Sequence, residues 1–152
     1  MVIHKADVED VDRLIEVRIQ FQETVKGTRG SELFAKAVEG YLRKHLSVGT
    51  CVVWLAEDEG KIVSCAMLSL VEELPVLENP SGRVGFLHNV YTHPHYRRQG
   101  LAQQMVVKCL QSAKEWGAGR VCLGATKQGR RLYEKLGFNF RKDEMQLDFP
   151  LD

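Results

Sequence analysis

The sequence has almost no net charge. Its 21 Lys and Arg against 20 Asp and Glu leave +1 over 152 residues. Such a balance creates no field for general attraction to nucleic acid or to a membrane surface, and neither is expected as a partner. No stretch approaches the length of uninterrupted apolar chain that a transmembrane helix needs. The start, Met1-Val2-Ile3-His4-Lys5-Ala6-Asp7, lacks a signal-peptide core and a cleavage site, so a cytoplasmic location is expected. The four cysteines form no C-x-x-C pair, and all lie in apolar runs, which reads as reduced core thiols. Asn79-Pro80-Ser81 has proline at the position that forbids glycosylation. There is no Walker A sequence, and Gly117-x-Gly119 stands after a helical pattern and before a strand pattern, the reverse of a dinucleotide fingerprint. His88, His93 and His95 lack a fourth ligand and a converging spacing, and Pro94 turns the last two outward, so no metal is expected. Repeats, low-complexity tracts and linkers are also missing.

What remains is an ordinary globular composition, 44% hydrophobic and 27% charged. A chain of this length reads as one domain, residues 1–152, able to bury roughly 70% of the surface its unfolded form exposes. In order, Val2–His4 reads as an edge strand. Asp7 and Asp10 open a helix in capping-box style, with Val8, Val11, Leu14, Ile15, the aliphatic stem of Arg18 and Phe21 on its apolar face. Residues 22–30 read as a loop. Ser31 caps a second helix that ends at Gly49. Residues 50–56 and 62–71 form a hairpin about a polar turn, and residues 72–82 a long loop. A strand follows at 85–92, a helix from Leu101 to Trp116, a strand at 120–125, and a short helix at 128–136 stopped by Gly137. A last hairpin is expected from 138–140 and 145–149. The strands at 85–92 and 120–125 should pair in parallel, because a helix crosses between them.

The most informative stretch runs from Arg83 to Trp116. An apolar, β-branched strand leads into His93-Pro94-His95, then Arg97-Arg98-Gln99-Gly100-Leu101-Ala102, then a helix with an apolar stripe of period 3.6. A helix start leaves backbone N–H groups unpaired and carries partial positive charge. Gly100 lets a ligand approach the main chain, and Arg97 and Arg98 add two fixed charges. Phosphate or pyrophosphate is the natural guest. The plainer alternative is a capped surface turn.

Residues 97–102 match Q/R-x-x-G-x-G/A, and Leu132-Tyr133-Glu134-Lys135-Leu136-Gly137-Phe138 is similar to an (L/F)-Y-x-x-x-G-F segment. Two such segments in this order resemble the GNAT N-acetyltransferase superfamily. That resemblance implies an α/β fold (α+β by some schemes), with a mixed, mostly antiparallel twisted sheet of six to seven strands and about four helices. It implies a splayed parallel pair at 85–92 and 120–125 that admits the pantetheine arm of acetyl-CoA, used as cosubstrate. It further implies cofactor contacts from Arg97, Arg98, Gln99, Gly100, Leu101 and Ala102, and from the backbone of Val90 and Thr92. Many members carry Asn where this chain has Thr126, so Thr126 is the candidate for the remaining arm contact.

Acetyl transfer requires a deprotonated amine, a polarised thioester and a protonated leaving thiolate, held together; alignment alone supplies on the order of 7–11 kcal/mol. Tyr133 stands where the family places its general acid, and a tyrosine of ordinary pKa can protonate a thiolate. A core aromatic is the alternative reading. His88 is the first candidate base, on a strand at the cofactor turn, with a histidine packed in the sheet as the alternative. Regular alternation would face Asn89 and Tyr91 away from His88 unless a β-bulge intervenes. Glu72 and Glu73 are alternative bases, and with Glu23 they could hold a cationic amine. The expected activity is direct transfer to the primary amine of a small molecule. The rivals are a protein or peptide amine as acceptor, and an acetyl-CoA-binding or sensing module without turnover. Homodimers are common among small members of this superfamily.

Overall fold

The computed structural model describes residues 1–27 and 29–151. Five strands form one sheet in sequence order: β1 (Val2–Lys5), β2 (Cys51–Asp58), β3 (Lys61–Glu72), β4 (Arg83–Thr92) and β5 (Arg120–Leu123). The first four are antiparallel to their neighbours, and β4–β5 is parallel. The helices are α1 (Val11–Thr24), α2 (Glu32–Val48), α3 (Leu101–Trp116) and α4 (Arg130–Lys135). The architecture is therefore the mixed, mostly antiparallel α/β arrangement that the sequence implies.

Local chemistry accounts for most boundaries. Asp7 caps a single 3-10 turn that leads into α1, and Asp10 returns the capping-box bond, its carboxylate accepting from the Asp7 N–H at 3.0 Å. The Ser31 hydroxyl accepts from the Phe34 N–H at 3.1 Å, and Gly49 closes α2 at φ +80°. Glu59 and Gly60 both have positive φ, as the two-residue hairpin between β2 and β3 demands. Helix α1 continues three residues beyond the end of its expected apolar stripe, through Thr24.

The sheet separates two cores. Helix α3 packs Leu101, Met105, Val106, Cys109 and Ala113 on one face, against Val52, Ala66, Leu68 and Leu87. On the other face, α1 and α2 pack Val11, Leu14 and Leu42 against Val53, Leu55, Cys65 and Met67. Each fully buried aliphatic here contributes roughly 1.5–3 kcal/mol relative to exposure. Cys51, Cys65 and Cys109 are buried free thiols with burial pushing each pKa up to about 12, so they behave as the inert core residues expected of them.

Two expectations about the sheet fail. Among the described residues the strand count is five rather than six or seven, because residues 138–149 form no hairpin. Strand β5, expected over 120–125, stops at Leu123 and is only four residues long. So short an edge offers little for two more strands to pair with. Phe140, Met145, Leu147 and Phe149 stay 58%, 99%, 81% and 80% exposed.

Candidate active site

The parallel pairing of β4 with β5 begins at Val84↔Arg120 and ends at Leu87↔Leu123. Strand β4 runs on to Thr92, while the chain after β5 turns away to start α4. The two walls part, and a cleft of about 680 Å³ opens between residues 87–92 and residues 123–133. Its far end is closed by Arg97, Arg98 and the first turn of α3.

A β-bulge shapes the near wall. Pairing with β3 jumps from Met67↔His88 to Cys65↔Tyr91, so Asn89 and Val90 together oppose Ala66. Asn89 takes φ +52°, a left-handed conformation that asparagine tolerates better than most residues. The bulge resets the alternation of side chains. Leu87 and Val90 both pack toward α3, whereas Tyr91 packs on the α1–α2 side. His88 lines a cavity on that same side, so the regular alternation that would separate Tyr91 from it does not hold. The bulge is pinned by Asn89, which is 3% exposed. Its Nδ2 donates to Cys65 Sγ at 3.4 Å, and its Oδ1 accepts from Arg18 at 3.4 Å. A bulge leaves the ladder locally unpaired, here where Val90 borders the cleft.

At the basic end, Arg98 (φ +63°) and Gly100 (φ +76°) turn the chain sharply into α3. Gly100 is the N-cap and supplies no side-chain cap. The Gly100 carbonyl accepts from the Gln104 N–H at 3.1 Å, which leaves the N–H groups of Leu101, Ala102 and Gln103 without intrahelical partners. A methyl group built on Gly100 would meet nothing within 4 Å, so the approach to these donors is open. Arg97 Nε donates to the Thr92 carbonyl at 3.1 Å, which ties the turn to the end of β4. Arg97, Arg98, Gly100, Leu101 and Ala102 line the cleft, but Gln99 does not.

On the far wall stand Thr126, Gly129 and Tyr133. The Thr126 hydroxyl accepts from the Gly129 N–H at 3.1 Å, so it helps to start α4. Tyr133 is half-buried, its ring edge-on to Phe138 at 5.8 Å, and burial raises its pKa above 10.0. Its hydroxyl has no protein hydrogen-bond partner among the described residues. Gly129 lies against the ring: a Cβ there would come within 2.8 Å of it.

His88 faces away from α3. Its Nε2 lies 3.0 Å from Ser69 Oγ, which fixes the ring. Desolvation holds its pKa below 6.5, and the positive charge of Arg18 pushes in the same direction. Both effects favour the neutral imidazole.

The three carboxylates expected near the acceptor lie outside both cavities that His88 borders. Glu23 accepts from the Gly30 N–H at 3.3 Å. Glu72 pairs with Arg83 at 3.6 Å. Glu73 lines a separate depression with Arg120 and Arg141. No group of residues that could hold a metal occurs among the described residues. The side chain that sequence reading missed is Arg18, taken there for its aliphatic stem. The signal was present, since an arginine interrupts an otherwise apolar helix face. Lys26 and Gln103 also line the cleft unannounced.

A gap between splayed parallel strands, with a helix N-terminus and arginines at one end and a tyrosine at the other, is built for a long ligand that is anionic at one end and reactive at the other. The comparisons agree. Residues 15–138 match the model of the acetyltransferase (GNAT) family. The chain belongs to that family. It is 28% identical over 96 residues to a glucosamine 6-phosphate N-acetyltransferase of Trypanosoma brucei brucei, a match that spans 63% of each chain. A second relative, an uncharacterized N-acetyltransferase of Bacillus subtilis, is 38% identical over 80 residues, with only 24% of its length matched. The chain therefore spans less than two thirds of both curated relatives. Among solved structures, a predicted acetyltransferase of Clostridium acetobutylicum, crystallised with acetyl-CoA, superposes with a TM-score of 0.89 at 30% identity, covering 97% of this chain and 95% of that one. A glucosamine-6-phosphate N-acetyltransferase of Arabidopsis thaliana shares the fold, with a TM-score of 0.74 at 20% identity and 98% of each chain covered.

Proposed function

We propose that this chain, as a single domain, transfers an acetyl group from acetyl-CoA directly to the primary amine of a small molecule. The observation that carries the reading is the cleft itself, with unpaired helix N–H groups and two arginines at one end and an unpartnered, protonated tyrosine at the other. The pyrophosphate sits on the N–H groups of Leu101, Ala102 and Gln103, with Arg97 and Arg98 beside it. The pantetheine arm runs along the wall formed by Val90 and Thr92, where β4 has lost its partner, and passes Thr126 opposite. An N–H at the bulge polarises the thioester oxygen.

The acceptor nitrogen attacks the thioester carbon. A C–N bond forms and the C–S bond breaks. The proton lost by the amine goes to His88, directly or through water, and the departing thiolate takes the proton of Tyr133. Solvent restores both groups. Glu23, Glu72 and Glu73 have no part in this scheme, because none reaches the cleft wall.

The pH profile tests the role of His88. A base must be unprotonated, and a lowered pKa keeps it so at lower pH. The acidic limb of kcat/KM is therefore expected below pH 6.5, and His88→Gln should remove that limb and lower the plateau by about 10²-fold. Arg18→Gln removes the repulsion and should move the limb upward. A limb unchanged in both variants would assign the proton to another group.

The expected homodimer has one observation behind it. Met145, Leu147, Phe149 and Leu151 are 99%, 81%, 80% and 97% exposed and alternate along the chain. A segment of alternating bare apolar side chains is what a second copy would cover.

A further inference from the structure

Beyond the cofactor cleft lies a second cavity of about 320 Å³ between α2 and the sheet. Phe34, Val38, Tyr41, Leu42 and Met67 give it an apolar wall. Two residues line both spaces: His88 and Arg18. Among the described residues, no Asp or Glu lines either space.

Arg18 differs from the ion-paired arginines of the fold. Arg13, Arg43, Arg83, Arg130 and Arg141 each sit in an ion pair. Arg18 is half-buried, lies over the Phe21 ring at 5.9 Å, and meets only the neutral Asn89 amide at 3.4 Å. It has no carboxylate partner among the described residues. Desolvation opposes its charge, which burial without a counterion makes costly. Arg97 and Arg98, by contrast, stand in water at the cofactor end, where their charge costs little. A guanidinium kept unpaired beside the base and at the mouth of an apolar cavity is placed to take an anionic group of a ligand.

We infer that the acceptor is an amine carrying both an anionic group, held by Arg18, and an apolar body, held between α2 and the sheet, with the apolar α-amino acids as the simplest members of that class. The amine then lies at His88 with its carboxylate at Arg18, and the side chain enters the apolar cavity. With no carboxylate along either space among the described residues, acceptors with a second cationic group, such as polyamines, are expected to be poor substrates. This inference rests on the acetyl-transfer reading above and deepens it.

Three probes separate the two demands. L-Phenylalanine has the anion and the apolar body, 2-phenylethylamine only the body, and glucosamine 6-phosphate only the anion. Thiol release from acetyl-CoA is expected to be fastest with phenylalanine, with kcat/KM at least about 10²-fold lower for 2-phenylethylamine, since a buried cation then goes unpaired. Arg18→Gln should bring those two amines to within a few fold of each other while calorimetry shows acetyl-CoA binding unchanged. Ala37→Trp, on the exposed face of α2 where it borders the cavity, should fill the space and shift preference from phenylalanine to alanine. Equal use of phenylalanine and 2-phenylethylamine by the wild type would overturn the role of Arg18. A preference for glucosamine 6-phosphate, indifferent to Ala37→Trp, would overturn the apolar body. Acetyl-CoA binding with no turnover of any probe would overturn the acceptor class and leave cofactor binding standing. Failure to bind acetyl-CoA would instead remove the acetyl-transfer reading itself.

Discussion

Tyr133→Phe is expected to lower kcat by about 10²–10⁴-fold and to leave acetyl-CoA affinity unchanged. The substitution keeps the ring that packs edge-on against Phe138 and removes only a hydroxyl with no protein partner among the described residues. Stability should therefore hold, and the loss should fall on the chemical step. Burial raises the Tyr133 pKa above 10.0, so the proton is present throughout the neutral range. A thiol of ordinary pKa near 8.5 is a stronger acid than this tyrosine, so the proton transfer is uphill taken alone; collapse of the tetrahedral intermediate drives it, as charge builds on sulfur while the C–S bond breaks. The effect should therefore be largest for acetyl-CoA and shrink with acyl donors whose leaving thiol is more acidic. Gly129→Ala is the companion change, since its Cβ would come within 2.8 Å of the ring and displace it without removing the hydroxyl. A Tyr133→Phe enzyme with wild-type kcat at every pH would assign the residue to packing alone.

Gly100→Glu is expected to abolish acetyl-CoA binding. At 100 times Kd, ligand stabilises a protein by about 2.7 kcal/mol, which for a chain of this size raises Tm by roughly 5–10 °C. Wild type should show that rise, and the glutamate variant none. A Cβ at this position meets no protein atom within 4 Å, so the harm is expected from negative charge placed where the pyrophosphate sits. Gly100 has φ +76°, and a glutamate there also costs about 1–2 kcal/mol of backbone strain. Gly100→Asn separates the two effects, because asparagine tolerates the left-handed region and adds no charge. It should keep most of the ligand-induced shift. Loss of the shift in both variants would show that backbone shape, and not charge, decides binding.

Much of this molecule was legible because local chemistry decides it. Asp7, Ser31, Gly49 and Gly137 mark helix ends by capping rules that need no tertiary information. The glycine turn before α3 shows in sequence because Gly100 and the arginines are contiguous. Features set by tertiary pairing were harder to read. The bulge at Asn89 depends on register against Ala66, and a strand read alone cannot reveal its own extra residue. Arg18 looked like a stem on an apolar stripe because its partner, Asn89, lies 71 residues away. Glu72 and Glu73 read as acceptor residues from their position at a strand end, but β3 runs antiparallel to β4, so Glu72 lies opposite Arg83 at the end of the sheet away from the bulge. The final hairpin failed for a similar reason: alternation shows that a segment can pair, not that an edge exists to receive it.

The most direct measurement is the structure of the wild-type chain with acetyl-CoA bound, read at three places. The account predicts pyrophosphate oxygens on the N–H groups of Leu101, Ala102 and Gln103, the thioester beside the Val90 bulge, and the Tyr133 hydroxyl within hydrogen-bond reach of the sulfur. A cofactor seated elsewhere, or a sulfur that Tyr133 cannot reach, would contradict it.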